Sequence, residues 1–412
     1  MNILYLEHYA GSPEMGMEFR PYYLSREWVK MGHNVRIVAG DFSHVRLHNP
    51  KVDNDFQEEV IDGITYDWVK TGSYEGNGVA RAMTMFRFVH KLWKKAEWIE
   101  KNWKPDVIIT SSTYPLDTYA GQKIKRITQK QGVRGGKGAT LIHEVHDMWP
   151  ISLIEIGGMK KSNPFVVMIQ MGENSFCRHS DYVVSLLPAA KDYFIKHGMA
   201  PEKFKPIMNG VVLSEWENPA PLPKEHQDLL DNLHCENKFV FCFFGSVNVA
   251  YAVDYLIKAH QKAHDSRAAI VIVGEGSQKE ELIKMAGEGV YFLPRIPKRA
   301  IPTLTKNIDC CYVGALHNDM FRFGICMNKL FDSMMSGKPI LYAVEAPNNF
   351  IRDYDCGISV RAEDVDALAE GMKQMIDLTT EERETMGDNG RKAVLEHFSY
   401  EKLAKKFVEL FK

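Results

Sequence analysis

The sequence predicts an α/β protein of two domains with mainly parallel sheets, and three observations carry that prediction. At 412 residues the chain is too long for one ordinary core, so two domains of roughly equal size are expected. Its first forty residues read as strand, Gly- and Pro-punctuated loop, amphipathic helix and strand, the unit of a nucleotide-type α/β domain. A second register of short continuous apolar runs begins at Phe239, and runs of this kind suit parallel strands covered on both faces.

The elements follow in order. Residues 1–6 form an apolar, β-rich strand, 8–16 the loop, and 19–31 a helix that Gly32 and His33 close before a strand at 35–39. Further strands read at 64–69, 107–110, 140–145 and 182–186. Residues 206–211 end in IMNGV, and the Pro- and charge-rich 214–237 reads as a linker with a short helix. The second register places strands at 239–245, 269–274, 290–293, 310–313 and 339–343, with helical patterns between most of them. The glycines of the first loop do not form GxGxxG, so no dinucleotide site is indicated.

Composition narrows the class. With 45% hydrophobic and 25% charged residues the chain is an ordinary globular protein, and a formal net charge of −2 gives no global reason to expect nucleic acid. Seven cysteines without a CxxC pair read as buried apolar residues in a reducing compartment, the adjacent Cys310 and Cys311 as strand residues rather than metal ligands. Glu7 and His8 interrupt the apolar start that a secretory signal needs, and no apolar run approaches the length of a spanning helix. A cytoplasmic location is expected.

The most informative stretch is NKLFDSMMSGKPIL, residues 328–341. A helix entered at Asn328 points its first N–H groups and Lys329 at an anion, with Leu330 beside it and Asp332 one turn further on. That spacing suits a nucleotide diphosphate and its ribose. Capping and solubility are the plainer reading of the same residues.

Gly274-Glu275-Gly276 follows a strand and precedes a helix, where glycine permits close backbone approach to a ligand and a tight turn is equally consistent. Gly245 and Ser246, in FFGSVN, end the first strand of the second register. Arg295 and Lys298 of PRIPK are candidate counterions for a diphosphate or else solvated loop charges. In the first domain His146 and Asp147, within HEVHDMWP, stand at the carboxyl end of a strand, where ligands bind in open α/β sheets. They are the candidate catalytic residues, to be weighed against a polar turn beside Trp149. The loop 11–17 offers the backbone N–H groups of Gly16 and Met17, and Ser111, Ser112 and Thr113 follow another strand. Residues 83–103 carry an apolar stripe through Met85, Phe88, Val89, Leu92, Ala96, Ile99 and Trp103 with Arg87 and four lysines, Lys91, Lys94, Lys95 and Lys101, on other faces. This is a core-packing helix with a basic side, or a surface that docks on anionic lipid.

Several of these stretches resemble retaining glycosyltransferases of family 4, and HEVHDMWP resembles the subgroup that builds bacterial surface polysaccharides. NKLFDSMMSGKPIL resembles their donor-binding helix, VGEGSQKEELIKMA their corresponding strand, turn and helix, and residues 206–211 their last strand and interdomain joint. The match covers nearly the whole chain. It implies the glycosyltransferase B fold, two Rossmann-like domains facing each other across a cleft: an acceptor domain at 1–213, a nucleotide-sugar domain at 214–395, and a terminal helix, 396–412, that crosses back to the first.

The resemblance implies transfer of a hexose or N-acetylated sugar from a nucleoside diphosphate donor, UDP being the expected nucleotide, to an acceptor hydroxyl on a glycan or polyprenyl-linked molecule. It implies neither cofactor nor metal, since no DxD motif of the metal-dependent kind is read, and it allows peripheral membrane contact through 83–103 at the inner face of the plasma membrane. Asp332 aligns with the second member of the family's Glu-x7-Glu pair, while the first member falls at Gly324. That departure moves the sugar contact onto the backbone amides of Phe323, Gly324 and Ile325. A basic pair expected after Phe244 is also missing, which passes the phosphate charge to Arg295, Lys298 and Lys329. Ile296 would border the nucleobase through its backbone. Two other readings remain: a UDP-sugar 2-epimerase on the same fold, and a non-catalytic nucleotide-sugar binder or assembly protein.

Overall fold

The computed structural model describes residues 1–16, 19–76 and 78–411. The chain forms two compact units, one of residues 1–208 and 400–412 and one of residues 209–399.

The first unit holds strands β1 (Asn2–Leu6), β2 (Asn34–Gly40), β3 (Gln57–Ile61), β4 (Ile64–Val69), β5 (Val107–Thr110), β6 (Thr140–Val145), β7 (Tyr182–Ser185) and β8 (Phe204–Pro206). They form one sheet in the order β3-β4-β2-β1-β5-β6-β7-β8, parallel except for the β3–β4 hairpin. Strand β3 was not expected from the sequence because QEEVI is a polar edge strand whose middle residues face solvent. Residues 206–211 do not make the last strand; β8 ends at Pro206.

The helix Val79–Trp103 lays Phe88, Leu92, Ala96 and Ile99 against Leu4, Leu6, Val38 and Ile108 of the sheet. The apolar stripe that allowed a lipid-docking reading is therefore spent on the core. Its basic side is also partly engaged: Lys91 pairs with Asp55 at 2.7 Å, and Arg87 donates to the Thr71 carbonyl at 2.9 Å. No helix among the described residues is long and apolar enough to cross a membrane.

The terminal helix Tyr400–Val408 packs on the helix Phe19–Lys30. Trp28, fully buried, donates its indole N–H to the Ala404 carbonyl at 3.1 Å and meets Phe407 and Phe411 edge-on. Arg20 of the Phe19–Lys30 helix reaches into the sheet's carboxyl end. Its Nε and Nη2 donate to Glu144 at 2.9 and 2.8 Å, and its Nη1 and Nη2 to the carbonyls of Met208 and Ile207 at 2.6 and 2.8 Å.

The second unit is a six-stranded, wholly parallel sheet in the order β11-β10-β9-β12-β13-β14. Its strands are β9 (Phe239–Phe244), β10 (Ala268–Val273), β11 (Val290–Leu293), β12 (Cys310–Gly314), β13 (Ile340–Ala343) and β14 (Gly357–Ser359). Cys310 and Cys311 are buried strand residues, as their apolar setting implied. The sequence placed the junction at 213/214 and the start of the tail at 396, whereas the units change over at 208/209 and 399/400. The reason lies in Val211, which donates to the Phe398 carbonyl at 2.8 Å and bridges to Ser399, fixing this stretch in the second unit.

Removing one partner of a buried ion pair strands the other charge. Arg20→Ala should lower the stability of the first unit by about 3–5 kcal/mol in urea unfolding, and replacing both Arg20 and Glu144 by apolar residues should cost less. A loss under about 1 kcal/mol for the single variant would remove the pair from the stabilising framework.

Candidate active site

In the second unit the carboxyl ends of β9 and β10 and the start of the helix Asn328–Met335 surround a cavity of about 500 Å³. Gly245, Ser246, Gly274, Arg295, Ile296, Lys329 and Asp332 line it, so it gathers seven candidates from four separate segments. Tyr251 and Ile301, also in the wall, were not foreseen. The helix begins without a side-chain cap; the Leu330 N–H closes onto the Met327 carbonyl at 3.1 Å, and Asn328 and Lys329 line the cavity.

Lys329 is the unusual group. Its Nζ is buried with no hydrogen-bond partner and lies 3.2 Å from the ring centre of Tyr251 and 4.1 Å from that of Phe243. It also comes within 3.2 Å of where a Cβ on Gly245 would stand. Burial pushes this amine down to about 7. Asp332, on the same helix, is buried; that burial raises its carboxyl, while the charge of Lys298 opposes the rise and Glu215 reinforces it.

Glycine matters at 274 and 276 for close approach. A Cβ at Gly274 would stand 1.9 Å from the Gly245 carbonyl oxygen, and one at Gly276 2.0 Å from that of Val247. Gly276 thus packs loop on loop and does not line the cavity. The N–H groups of Gly245 and Gly274 are bonded to the carbonyls of Val273 and Leu293 at 3.0 and 3.1 Å, so these glycines shape the cavity rather than donate into it.

Four expectations are corrected by this geometry. Lys298 lies outside the cavity lining and pairs with Glu215 at 3.6 Å. Leu330 is a fully buried core residue. The amides assigned to the donor sugar are already engaged, Gly324 with the Phe321 carbonyl at 2.8 Å and Ile325 with Asn348 Oδ1 at 2.9 Å, and neither they nor Phe323 line the cavity. The Gly16 N–H closes its own turn onto Ser12 and Pro13, both at 3.2 Å, and Gly16 takes φ +90° there. Met17 lies outside the described residues.

The candidates of the first unit gather around Glu144, which the sequence reading did not single out. Fully buried on β6, it receives Arg20 on Oε1, and on Oε2 the Tyr5 hydroxyl, the Ser111 hydroxyl at 2.7 Å and His146 Nε2 at 3.1 Å. Burial pushes its carboxyl up, but Arg20 and then His146 more than reverse this, and it stays well below the usual carboxylate range. His146 Nε2 also lies 2.9 Å from Ser111 Oγ, so the imidazole is held by two partners at the end of the strand. Ser112 accepts the His8 N–H at 3.1 Å, which is turn chemistry. Asp147 is exposed beside His146; its concave setting lifts the carboxyl, against the charges of His146 and Arg81.

A cavity that closes around a buried amine at one end and a carboxylate one helical turn away, at the carboxyl ends of parallel strands, has a geometry that suits an anionic ligand. The sequence also matches two family models. Residues 15–215 match the model for Glycosyltransferase Family 4, and residues 227–393 the model for Glycosyl transferases group 1. The chain belongs to the family 4 glycosyltransferases and has their glycosyltransferase B fold.

It is 25% identical over 282 residues to a Pseudomonas aeruginosa protein named "Probable glycosyltransferase WbjE", a match covering 65% of this chain and 63% of that protein. The chain thus spans somewhat less than two thirds of that relative. It is 22% identical over 295 residues, 67% of this chain and 68% of the other, to Escherichia coli (strain K12) WcaI, whose name places it as a glycosyl transferase of colanic acid biosynthesis. Anabaena HepE, solved in complex with UDP and glucose, shares the fold with a TM-score of 0.63 at 15% identity, over 99% of this chain and 98% of that one.

The Lys329 amine gives a signed pH dependence. Between about pH 7 and 10.5 the unfolded chain holds a proton here that the folded chain releases, so stability rises with pH across that window. Below it both states are charged and the full cost of burial is present. Lys329→Met should therefore be more stable than the parent near pH 6 to 7 in urea titrations, with the difference closing as pH approaches 10. A difference that stays constant with pH would show that the amine is not desolvated.

Proposed function

We propose that this glycosyltransferase moves a hexose or N-acetylated sugar, with retention at C1, from a UDP-linked donor to an acceptor hydroxyl during assembly of a bacterial surface polysaccharide. The second unit takes the donor and the first the acceptor. The carrying observation is the buried, unpartnered Lys329 Nζ beside an uncapped helix start, because a diphosphate supplies the anion both lack.

In this reading Lys329 and the first helical turn neutralise the diphosphate, Arg295 adds charge at the rim, and Gly245 lets the phosphates approach the backbone. Asp332 hydrogen-bonds the ribose, and Ile296 flanks the base. The HepE complex with UDP and glucose supports a uridine donor, and the name of WcaI supports the polysaccharide role. No resident cofactor or metal is assigned, the nucleotide sugar being substrate.

For retention, the acceptor oxygen bonds to C1 on the face from which the phosphate oxygen leaves, and the acceptor proton passes to that leaving oxygen. Asp147 and His146 orient the acceptor hydroxyl, with His146 fixed through Glu144 and Ser111. Peripheral contact with a membrane through 83–103 would fall to the exposed Trp93 and Trp98, since the apolar stripe is internal.

Calorimetric titration with UDP, GDP and ADP, with and without magnesium, should show selective UDP binding. Lys329→Met should weaken it roughly tenfold to a hundredfold, the range of one charge-assisted hydrogen bond. Binding of none of the three would defeat the donor assignment. Asp147→Ala should lower sugar transfer by about a hundredfold or more while UDP affinity is kept; normal turnover would remove Asp147 from the mechanism, and interconversion of UDP-sugars without an acceptor would identify an epimerase instead.

A further inference from the structure

The cavity of the second unit contains an aromatic ring to which the donor reading gives no task. Tyr251 stands in its wall, with its ring centre 3.2 Å from Lys329 Nζ. The Phe243 ring lies 4.1 Å from the same atom, and the two ring centres are 6.2 Å apart. A ring face attracts an ammonium through its quadrupole, the more strongly where water is excluded. Such a contact takes up charge without accepting a strong hydrogen bond. The N–H donors of Lys329 thus stay open, and its Nζ has no hydrogen-bond partner.

The backbone that carries Tyr251 is held on several sides. Asn248 Oδ1 accepts the Ala250 N–H at 3.0 Å and caps the short turn Val249–Tyr251, while the Asn248 carbonyl accepts the Tyr251 N–H at 3.2 Å. The Ala250 carbonyl takes the Leu316 N–H at 3.0 Å, and the Ala252 carbonyl takes the buried Tyr312 hydroxyl at 3.0 Å. Ala252 itself has φ +50°, a left-handed conformation that costs energy in a residue with a Cβ. A strained residue persists where its surroundings over-determine it, and here they fix the ring against the amine.

The charged groups nearby do not replace the ring. Glu275 and Arg295 reach the cavity from the loops after β10 and β11, and Asp332 from the same helix as Lys329. Glu275 pairs with Lys279 at 2.8 Å, and Asp332 feels the opposed charges of Lys298 and Glu215. Among the described residues no carboxylate is hydrogen-bonded to Lys329 Nζ. The Tyr251 hydroxyl is pushed up by burial and stays neutral. Burial therefore works against the charged amine, and the ring faces work for it.

We propose that Tyr251 is a positioning residue for the donor diphosphate and acts through Lys329: its ring face keeps the buried amine a cation and leaves the N–H groups to the phosphate oxygens. The proposal rests on the donor reading and deepens it, by naming what takes the part of the basic side chains missing after β9. A lysine in an apolar wall alone gives up its proton too readily to attract a diphosphate.

Two titrations of the full chain test this. The first follows Lys329 without nucleotide, by carbon-13 NMR of protein labelled at lysine Cε, its signal identified by loss in Lys329→Met. Tyr251→Leu removes the ring and should move the midpoint down by about half a unit to one and a half units, equivalent to the roughly three- to thirtyfold that a cation–π contact supplies. Tyr251→Phe keeps the ring face and should restore most of the difference; Tyr251→Met serves if the leucine variant unfolds. The second measures UDP affinity by calorimetry at about pH 5.5 and about pH 9. Tyr251→Leu should match the parent within about twofold at the lower pH, where the amine is charged in both, and bind roughly three- to thirtyfold more weakly at the higher. In Lys329→Met the same substitution should have no further effect.

An unchanged midpoint in Tyr251→Leu would overturn the proposal, while the donor reading would still stand on UDP binding by the parent chain. An equal loss of UDP affinity at both pH values would mean that the ring only shapes the cavity, and tighter binding that it obstructs the amine; either result defeats the assignment. A lowered midpoint with no UDP bound by the parent chain would strike the proposed function itself, and with it any role of Tyr251 toward a diphosphate.

Discussion

The first unit depends on a single buried carboxylate. Glu144 sits on β6 with no exposure, and five hydrogen-bonding contacts from four residues converge on its two oxygens. An ionised carboxyl taken out of water is tolerated only when paired and hydrogen-bonded, so each of those partners is held in place by the cost of leaving it unsatisfied. The partners come from β1, the first helix, the loop after β5 and the loop after β6. Through Arg20 the same centre reaches the carbonyls of Ile207 and Met208, where this part of the unit ends. One charge therefore sets the relative positions of the segments that form the sheet's carboxyl end, and His146 takes its orientation from them.

The second unit presents the opposite case. Lys329 is desolvated like Glu144, but nothing in the unit neutralises it; two aromatic rings are its neighbours. A structural charge recruits partners until it is satisfied, whereas a charge kept for a ligand must remain unsatisfied until the ligand arrives. The same reasoning separates the backbone groups. The amides of Gly324 and Ile325 are engaged within the chain and offer nothing, while at the start of Asn328–Met335 the Leu330 N–H is closed onto Met327 and those of Asn328 and Lys329 have no side-chain cap.

This contrast explains what was legible in the sequence. The inner strands were legible because burial on both faces writes them as unbroken apolar runs such as FVFCFF and AAIVIV. The edge strands Gln57–Ile61 and Gly357–Ser359 were not, one being polar and the other only three residues long. Lys329, Asp332, Gly245 and Arg295 were legible as a set, since strand ends and helix starts can be placed from pattern alone. Partners distant in sequence could not be read. Asn348 ties down Ile325 from 23 residues away, and Glu144 joins Arg20 across 124. Gly276 and Gly16 look like ligand glycines in the sequence and serve loop packing and a left-handed turn in the fold, a distinction that rests on what stands opposite them.

The absence of a basic pair after β9 also has a physical answer. A diphosphate site is defined by where positive charge stands, and the element that supplies the charge is secondary. Here the amine arrives from the helix Asn328–Met335 and ends beside Gly245, 3.2 Å from the space a side chain at that position would occupy. Gly245 has φ +133°, and the lack of a side chain leaves room for the amine while the backbone turns away from the sheet. A cation rooted in a helix start adds its charge to that of the helix dipole, so the two act on one anion from one direction. In the proposed donor site, charge placed this way would make up for residues missing from the strand end; the glycine and the lysine are in any case a coupled pair, because a side chain at 245 would press on the amine and loss of the amine would leave the glycine facing an unfilled space.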